Sequence, residues 1–205
     1  MRKEEQIRCM RLLMQRLDEG TNVDAGGMVR NPVEAYTSAE RAMSEWEVMF
    51  QNYPQVLGLT GDLPEPGSFV TSNDLGKPML LTRDNEGKFR AFLNVCSHRG
   101  TIVESELRGK KSVFSCPFHA WGYSAAGDLV SVPKEEQFGP IDKSCNGLVE
   151  LAAEEKHGLL WVHPNPGTEF DLNELLGEMG DELESWGFAD LEFGAVDTYD
   201  TPMNW

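Results

Sequence analysis

Asn94-Val95-Cys96-Ser97-His98-Arg99-Gly100, followed by Cys116-Pro117-Phe118-His119-Ala120-Trp121-Gly122-Tyr123, is the stretch whose reading decides the fold. It sets one Cys and one His in each of two segments, as C-x-H, 17 intervening residues, then C-x-x-H. Two thiolates and two imidazoles suit either a tetrahedral zinc ion or a two-iron cluster that carries both thiolates on one iron and both imidazoles on the other. Zinc knuckles usually gather ligands as close pairs, C-x₂₋₄-C or H-x₃₋₅-H. One Cys and one His per segment favours the cluster, and zinc stays open. Gly100 and Pro117 suit tight loops that leave backbone N–H groups free to face sulfur.

Working outward, the flanking segments have strand length and period two. Met79 to Arg83 and Lys88 to Val95 flank Asp84-Asn85-Glu86-Gly87, a hairpin signal, and the second of these strands runs into Cys96. Ser112 to Ser115 runs into Cys116. Trp121 to Ser124, Leu129 to Val132, Gly147 to Leu151 and Gly158 to His163 follow. Both ligand loops are therefore expected at strand ends, in a β sandwich or barrel from about Ser68 to Pro164.

Helical patterns lie on both sides. Ile7, Met10, Leu13, Met14 and Leu17 predict a helix from about Lys3 to Asp18 that stops at Gly20. A second is predicted from Ser38 to Asn52, with Thr37 and Glu40 as a capping box and Ala39, Ala42, Met43, Trp46, Met49 and Phe50 as a packing face. A third runs from Leu172 to Trp186, capped by Asp171, with an acidic solvated face at Glu174, Glu178, Asp181 and Glu182. An alternating stretch, Leu191 to Tyr199, closes the pattern. The expected fold class is thus mainly β with flanking helices. It comprises an arm over 1–55, a metal-binding β domain over 56–166, and a helix and linker over 167–205.

Composition narrows the partners. Thirty-four acidic residues against 18 basic ones, a formal charge of −16, argue against nucleic acid and anionic membranes. No apolar run has signal-peptide or membrane-span length. Cys9 and Cys145 read as free thiols in a reducing cytoplasm. His157 and His163 lie on what reads as one strand, where six residues separate them by roughly 20 Å, too far for one ion. With four histidines in the chain, no second His/His/carboxylate iron site is expected.

The two quoted segments resemble the Rieske domain of ring-hydroxylating oxygenase α (large) subunits, which belong to the Rieske non-heme iron oxygenases. Flanking matches are Glu65-Pro66-Gly67-Ser68-Phe69, Arg83-Asp84, Gly127-Asp128-Leu129, Gly158 to Val162 and the closing Asn204-Trp205. The resemblance implies a Rieske [2Fe–2S] cluster with Cys96 and Cys116 on the inner iron and His98 and His119 on the outer, electron-accepting one. Arg99, Gly100, Trp121 and Tyr123 would support the loops. It implies electrons drawn from a flavin reductase or a ferredoxin and passed to a mononuclear Fe(II). It also implies a small organic substrate, and trimer-type homo-oligomers in the full-length protein.

Respiratory Rieske proteins brace the cluster with a further disulfide, whose places here hold Thr101 and Phe118. The expected potential is accordingly near the low end of the Rieske range, about −150 mV. In the family Asn-Trp opens the catalytic domain, so the chain is expected to be the electron-transfer portion of a dioxygenase or monooxygenase, without an oxygen-activating site of its own. The alternatives are a stand-alone Rieske-type ferredoxin, which needs only about a hundred residues, and a zinc-stabilised binding module.

Overall fold

The computed structural model describes residues 2–22, 26–197 and 199–201. The closing Asn204-Trp205 lies outside them. Among the described residues eleven strands are arranged in three antiparallel sheets. In chain order they are β1 (Gln55–Leu59), β2 (Ser68–Ser72), β3 (Met79–Arg83), β4 (Phe89–Leu93), β5 (Arg108–Lys110), β6 (Val113–Ser115), β7 (Gly122–Ser124), β8 (Leu129–Ser131), β9 (Glu150–Leu151), β10 (Ala153–Lys156) and β11 (Leu159–Val162). The sheets are ordered β5-β2-β3-β4-β9, β1-β11-β10 and β6-β7-β8. The fold is mainly β with flanking helices, as the sequence implies.

The five-stranded sheet is apolar on both faces, and this fixes the layering. Every residue of β3 is buried. Alternation sends Leu80, with Phe92 of β4, into one cluster containing Phe69, Phe114, Tyr123, Leu129, Cys96 and Cys116. Met79 and Leu81, with Phe89 and Ala91, enter the opposite cluster with Leu160 and Val162. The site-bearing sheet β6-β7-β8 therefore packs on one face and β1-β11-β10 on the other. Each fully buried Leu or Phe contributes about 1.5–3 kcal/mol, so this central sheet is the rigid base of the site.

The hairpin forms as predicted: β3 pairs with β4 in register Arg83↔Phe89, and Gly87 takes φ 80°. Buried charges reinforce it. Asp84 accepts from the Glu86 and Lys88 N–H groups and pairs with Arg90 at 2.8 Å. Arg83 donates to the Leu63 carbonyl and ion-pairs with Glu155. Burial alone would raise Asp84, but Arg90 and these N–H donors hold it below the usual carboxylate range.

The helices depart from expectation. The first, α1 (Lys3–Glu19), ends at Gly20 with φ 62°, as read, yet none of its residues is buried. A short α2 (Glu34–Thr37) precedes the predicted Ser38 to Asn52 helix, which forms as α3 (Ala39–Glu45) running on into a π-helical turn, Trp46–Gln51. Ser38, not Thr37, caps α3, accepting from the Arg41 N–H at 3.2 Å, because Thr37 spends its hydroxyl on the Val33 carbonyl. Its Met43 and Met49 are exposed and only Phe50 joins a core. The Leu172 to Trp186 helix breaks into α4 (Leu172–Leu176) and α5 (Met179–Glu184), because Gly177 adopts φ 49°, ψ −130°. Asp171 caps α4 as predicted. Residues 191–197 of the alternating stretch form no strand, and Thr198 lies outside the described residues.

Candidate metal centre

The two Cys/His loops repeat one backbone plan. In the first, the Cys96 N–H donates to the Thr101 carbonyl at 2.8 Å and the Gly100 N–H to the Cys96 carbonyl at 2.9 Å. In the second, the Cys116 N–H donates to the Trp121 carbonyl and the Ala120 N–H to the Cys116 carbonyl, both at 2.9 Å. The fifth residue of each loop takes a left-handed conformation, φ 75° at Gly100 and 56° at Ala120. What differs is the imidazole, third in the first loop and fourth in the second.

The loops are held at their necks by different means. The second closes directly on β6 and β7, paired Val113↔Ser124, Phe114↔Tyr123 and Ser115↔Gly122. The first has only the isolated bridge Val95↔Ile102. Asn94 supplies the rest: its Oδ1 accepts from the Val103 and Glu104 N–H groups at 3.2 and 2.9 Å, and its Nδ2 donates to the Glu104 carbonyl at 2.7 Å. Glu104 in turn is buried and paired with Lys111 at 2.7 Å.

Cys96 and Cys116 are each 3% exposed and both are free thiols. His98 and His119 are half-buried, their rings 4.8 Å apart at 66°. Burial first, then the neighbouring His119 and Arg99, holds His98 below the ordinary imidazole range, which favours the neutral form that binds metal. Among the described residues two buried side-chain polar atoms lack a hydrogen-bond partner, His119 Nδ1 and Trp121 Nε1, and both are in this site. A buried polar group left unmet costs about 1–3 kcal/mol, so the donor set has room for a further group. Among the described residues no three His, Cys, Asp or Glu side chains converge on a single ion site.

The predicted supporting residues are all at the site. Tyr123 is fully buried, and its hydroxyl lies 3.1 Å from Cys96 Sγ and 3.0 Å from Ser97 Oγ while accepting from the Ser97 N–H at 3.1 Å. Ser97 donates its own proton to the Asn146 carbonyl at 2.8 Å. Tyr123 therefore directs its proton at Cys96 Sγ or Ser97 Oγ. Burial first, then Cys96, pushes its pKa up to about 12, so it stays a donor. Trp121 stacks on His98 at 4.8 Å and 11°. Arg99 is exposed, its guanidinium 5.4 Å above the Phe118 ring, while Gly100 supplies the left-handed turn.

Sequence reasoning missed Phe138, which meets the His98 ring edge-on at 5.4 Å, and Asn146. Both come from the irregular segment after β8, which has no period to read. His157 and His163 flank β11 and do not share it: His157 sits in the preceding turn at φ 54°, whereas His163 is buried and accepts from the Asn165 N–H at 3.2 Å. Cys9 and Cys145 are exposed free thiols.

The match to known proteins settles the type of domain. Residues 54–151 match the family model of the Rieske [2Fe–2S] domain. The chain carries a Rieske domain. Over part of its length it is similar to large subunits of ring-hydroxylating dioxygenases. It is 31% identical to the anthranilate 1,2-dioxygenase large subunit of Acinetobacter baylyi over 74% of this chain and 32% of that protein. It is 44% identical to the large oxygenase component of the Pseudomonas aeruginosa naphthalene 1,2-dioxygenase system, over 62% of this chain and 29% of that protein. Among solved structures, the apo form of the quaternary ammonium Rieske monooxygenase CntA superposes with a TM-score of 0.71 at 27% identity, covering 81% of this chain and 49% of that one. The chain thus spans about a third of the length of the two curated relatives. Among its described residues no helix is long and apolar enough to cross a membrane.

Proposed function

We propose that Cys96, Cys116, His98 and His119 hold the [2Fe–2S] cluster of this Rieske domain. The chain would then be the electron-relay portion of a dioxygenase or monooxygenase α subunit. The observation that carries this reading is the pairing in space of two buried thiols and two adjacent imidazoles, one of whose nitrogens, His119 Nδ1, is buried without a partner.

A cluster bound there supplies storage of one electron. Cys96 and Cys116 bind as thiolates on the buried side, out of reach of solvent. His98 and His119 would be the half-buried ligands, and their ring edges beside Phe138 and Phe118 would form the more exposed side of the bound cluster. Tyr123 directs its proton at Cys96 Sγ or Ser97 Oγ, Gly100 gives the first loop its turn, and Trp121 and Phe138 fix the plane of His98.

The donor in this reading is a flavin reductase or a ferredoxin, and the acceptor is a mononuclear iron in the part of the α subunit beyond this portion. The substrate is a small organic molecule bound there. The names of two relatives, anthranilate and naphthalene dioxygenases, favour an aromatic compound. A trimer-type homo-oligomer is proposed for the whole subunit, in a cytoplasmic setting. The division at 1–55, 56–166 and 167–205 is retained, supported by the lack of any buried residue in α1, α2 or α3.

Anaerobically purified chain should be red-brown, with two irons and two acid-labile sulfides and a Rieske spin signal on reduction. His98→Ala or His119→Ala should abolish that signal, while His157→Ala keeps it. A colourless protein carrying zinc overturns the reading.

A further inference from the structure

His119 and Trp121 each present a buried nitrogen with no partner, and the two cases are chemically opposite. Neutral imidazole nitrogen can be an acceptor and a metal ligand; indole Nε1 is a donor only and has no lone pair for iron. Ligation explains His119. It leaves Trp121 unexplained, although Trp121 is 4% exposed, stacked on His98 at 11° and packed in the cluster of side chains that also contains Cys96 and Cys116. Buried indole N–H groups usually find an acceptor, and none of the surrounding protein atoms serves as one.

We infer that Trp121 Nε1–H donates a hydrogen bond to a sulfur of the bound cluster, making Trp121 a positioning residue that tunes the cluster as well as a plate beneath His98. This rests on the cluster assignment above. A donor aimed at sulfur stabilises the more negative, reduced state over the oxidised one, so its loss makes reduction harder.

The test is Trp121→Phe, which keeps an aromatic face for His98 and removes the N–H. Loaded with two irons and two sulfides, this variant should show the reduced-to-oxidised ratio at a fixed potential falling about tenfold, a midpoint lower by about 59 mV for one electron. In the unmutated protein grown with indole-¹⁵N tryptophan, pulsed spin resonance of the reduced cluster should show a weak ¹⁵N coupling that is absent without the label. The coupling should vanish in labelled Trp121→Phe, which assigns it to Trp121 among the five tryptophans of the chain. A loaded variant with an unchanged midpoint overturns the inference alone, as does a labelled protein without the coupling. A chain that takes up no iron and sulfide overturns the proposed function and this inference together.

Discussion

The two Cys/His loops have the same backbone hydrogen bonds and the same left-handed fifth residue, but they are anchored differently. One is gripped by a strand pair and the other by an isolated bridge and an Asn side chain. The loop geometry is therefore set by the six residues themselves, and the scaffold need only hold two ends. The imidazole shifts by one position between the loops, yet the two rings arrive edge to face at 4.8 Å. Two unlike sequences thus converge on one facing pair.

If the loops are equivalent halves of one site, breaking either should have the same, largest effect. Cys96→Ser and Cys116→Ser should each abolish the bound iron and sulfide, measured per chain against the parent. A Cys116→Ser protein that retains a full cluster would mean the loops are not equivalent.

The necks should separate them. Asn94→Ala leaves the buried Val103 and Glu104 N–H groups without their acceptor and should cost about 3 kcal/mol, read as the urea midpoint at unchanged slope. Nothing comparable exists on the second loop's side. Glu104 adds a pH signature. Burial would raise its carboxyl, but Lys111 and the Glu106 and Ser105 N–H groups hold it below the usual range. A group with a lowered folded pKa contributes stability above its unfolded value and loses it as pH falls through the folded one. Melting temperature should therefore drop on acidification below about pH 4.5, and Glu104→Gln should flatten that part of the profile.

The loops were legible because each motif is local: ligand and turn residue lie within six positions, and hydrophobic alternation marks the strands that carry them. What was illegible depends on partners distant in sequence. β1 pairs with β11 across about a hundred residues and follows directly on a helical pattern, so its five residues gave no independent signal. The break at Gly177 hides inside an intact apolar period, since one Gly does not interrupt the spacing of Leu172, Leu176 and Leu183. The same holds at the site. Tyr123 was named, but its bond to Cys96 follows from the register of β7, and Phe138 and Asn146 arrive on a segment without periodicity.

Tyr123 also distinguishes the two halves, because its hydroxyl lies 3.1 Å from Cys96 Sγ. Removing it should weaken the reduced state of the bound cluster by about one hydrogen bond. Tyr123→Phe should lower the midpoint by about 30–60 mV, with cluster content unchanged. An unaltered midpoint would show that the proton rests on Ser97 Oγ instead.

The smallest effect tests the comparison most directly. A residue with a Cβ in the left-handed region costs about 1–2 kcal/mol, offset by about 0.4–1 kcal/mol from the stiffer unfolded chain. Gly100→Ala should therefore destabilise by roughly 0.5–1 kcal/mol, with no added collision, since a Cβ there would meet nothing within 4 Å. Ala120→Gly should stabilise by the same amount, and the double exchange should return to the parent value within about 0.5 kcal/mol. At about 2–4 °C per kcal/mol in a chain of this size, each single change is resolvable by calorimetry on the loaded protein. If Ala120→Gly instead destabilises, the Ala120 methyl group makes packing contacts that Gly100 has no use for, and the two turns share a conformation without sharing a role.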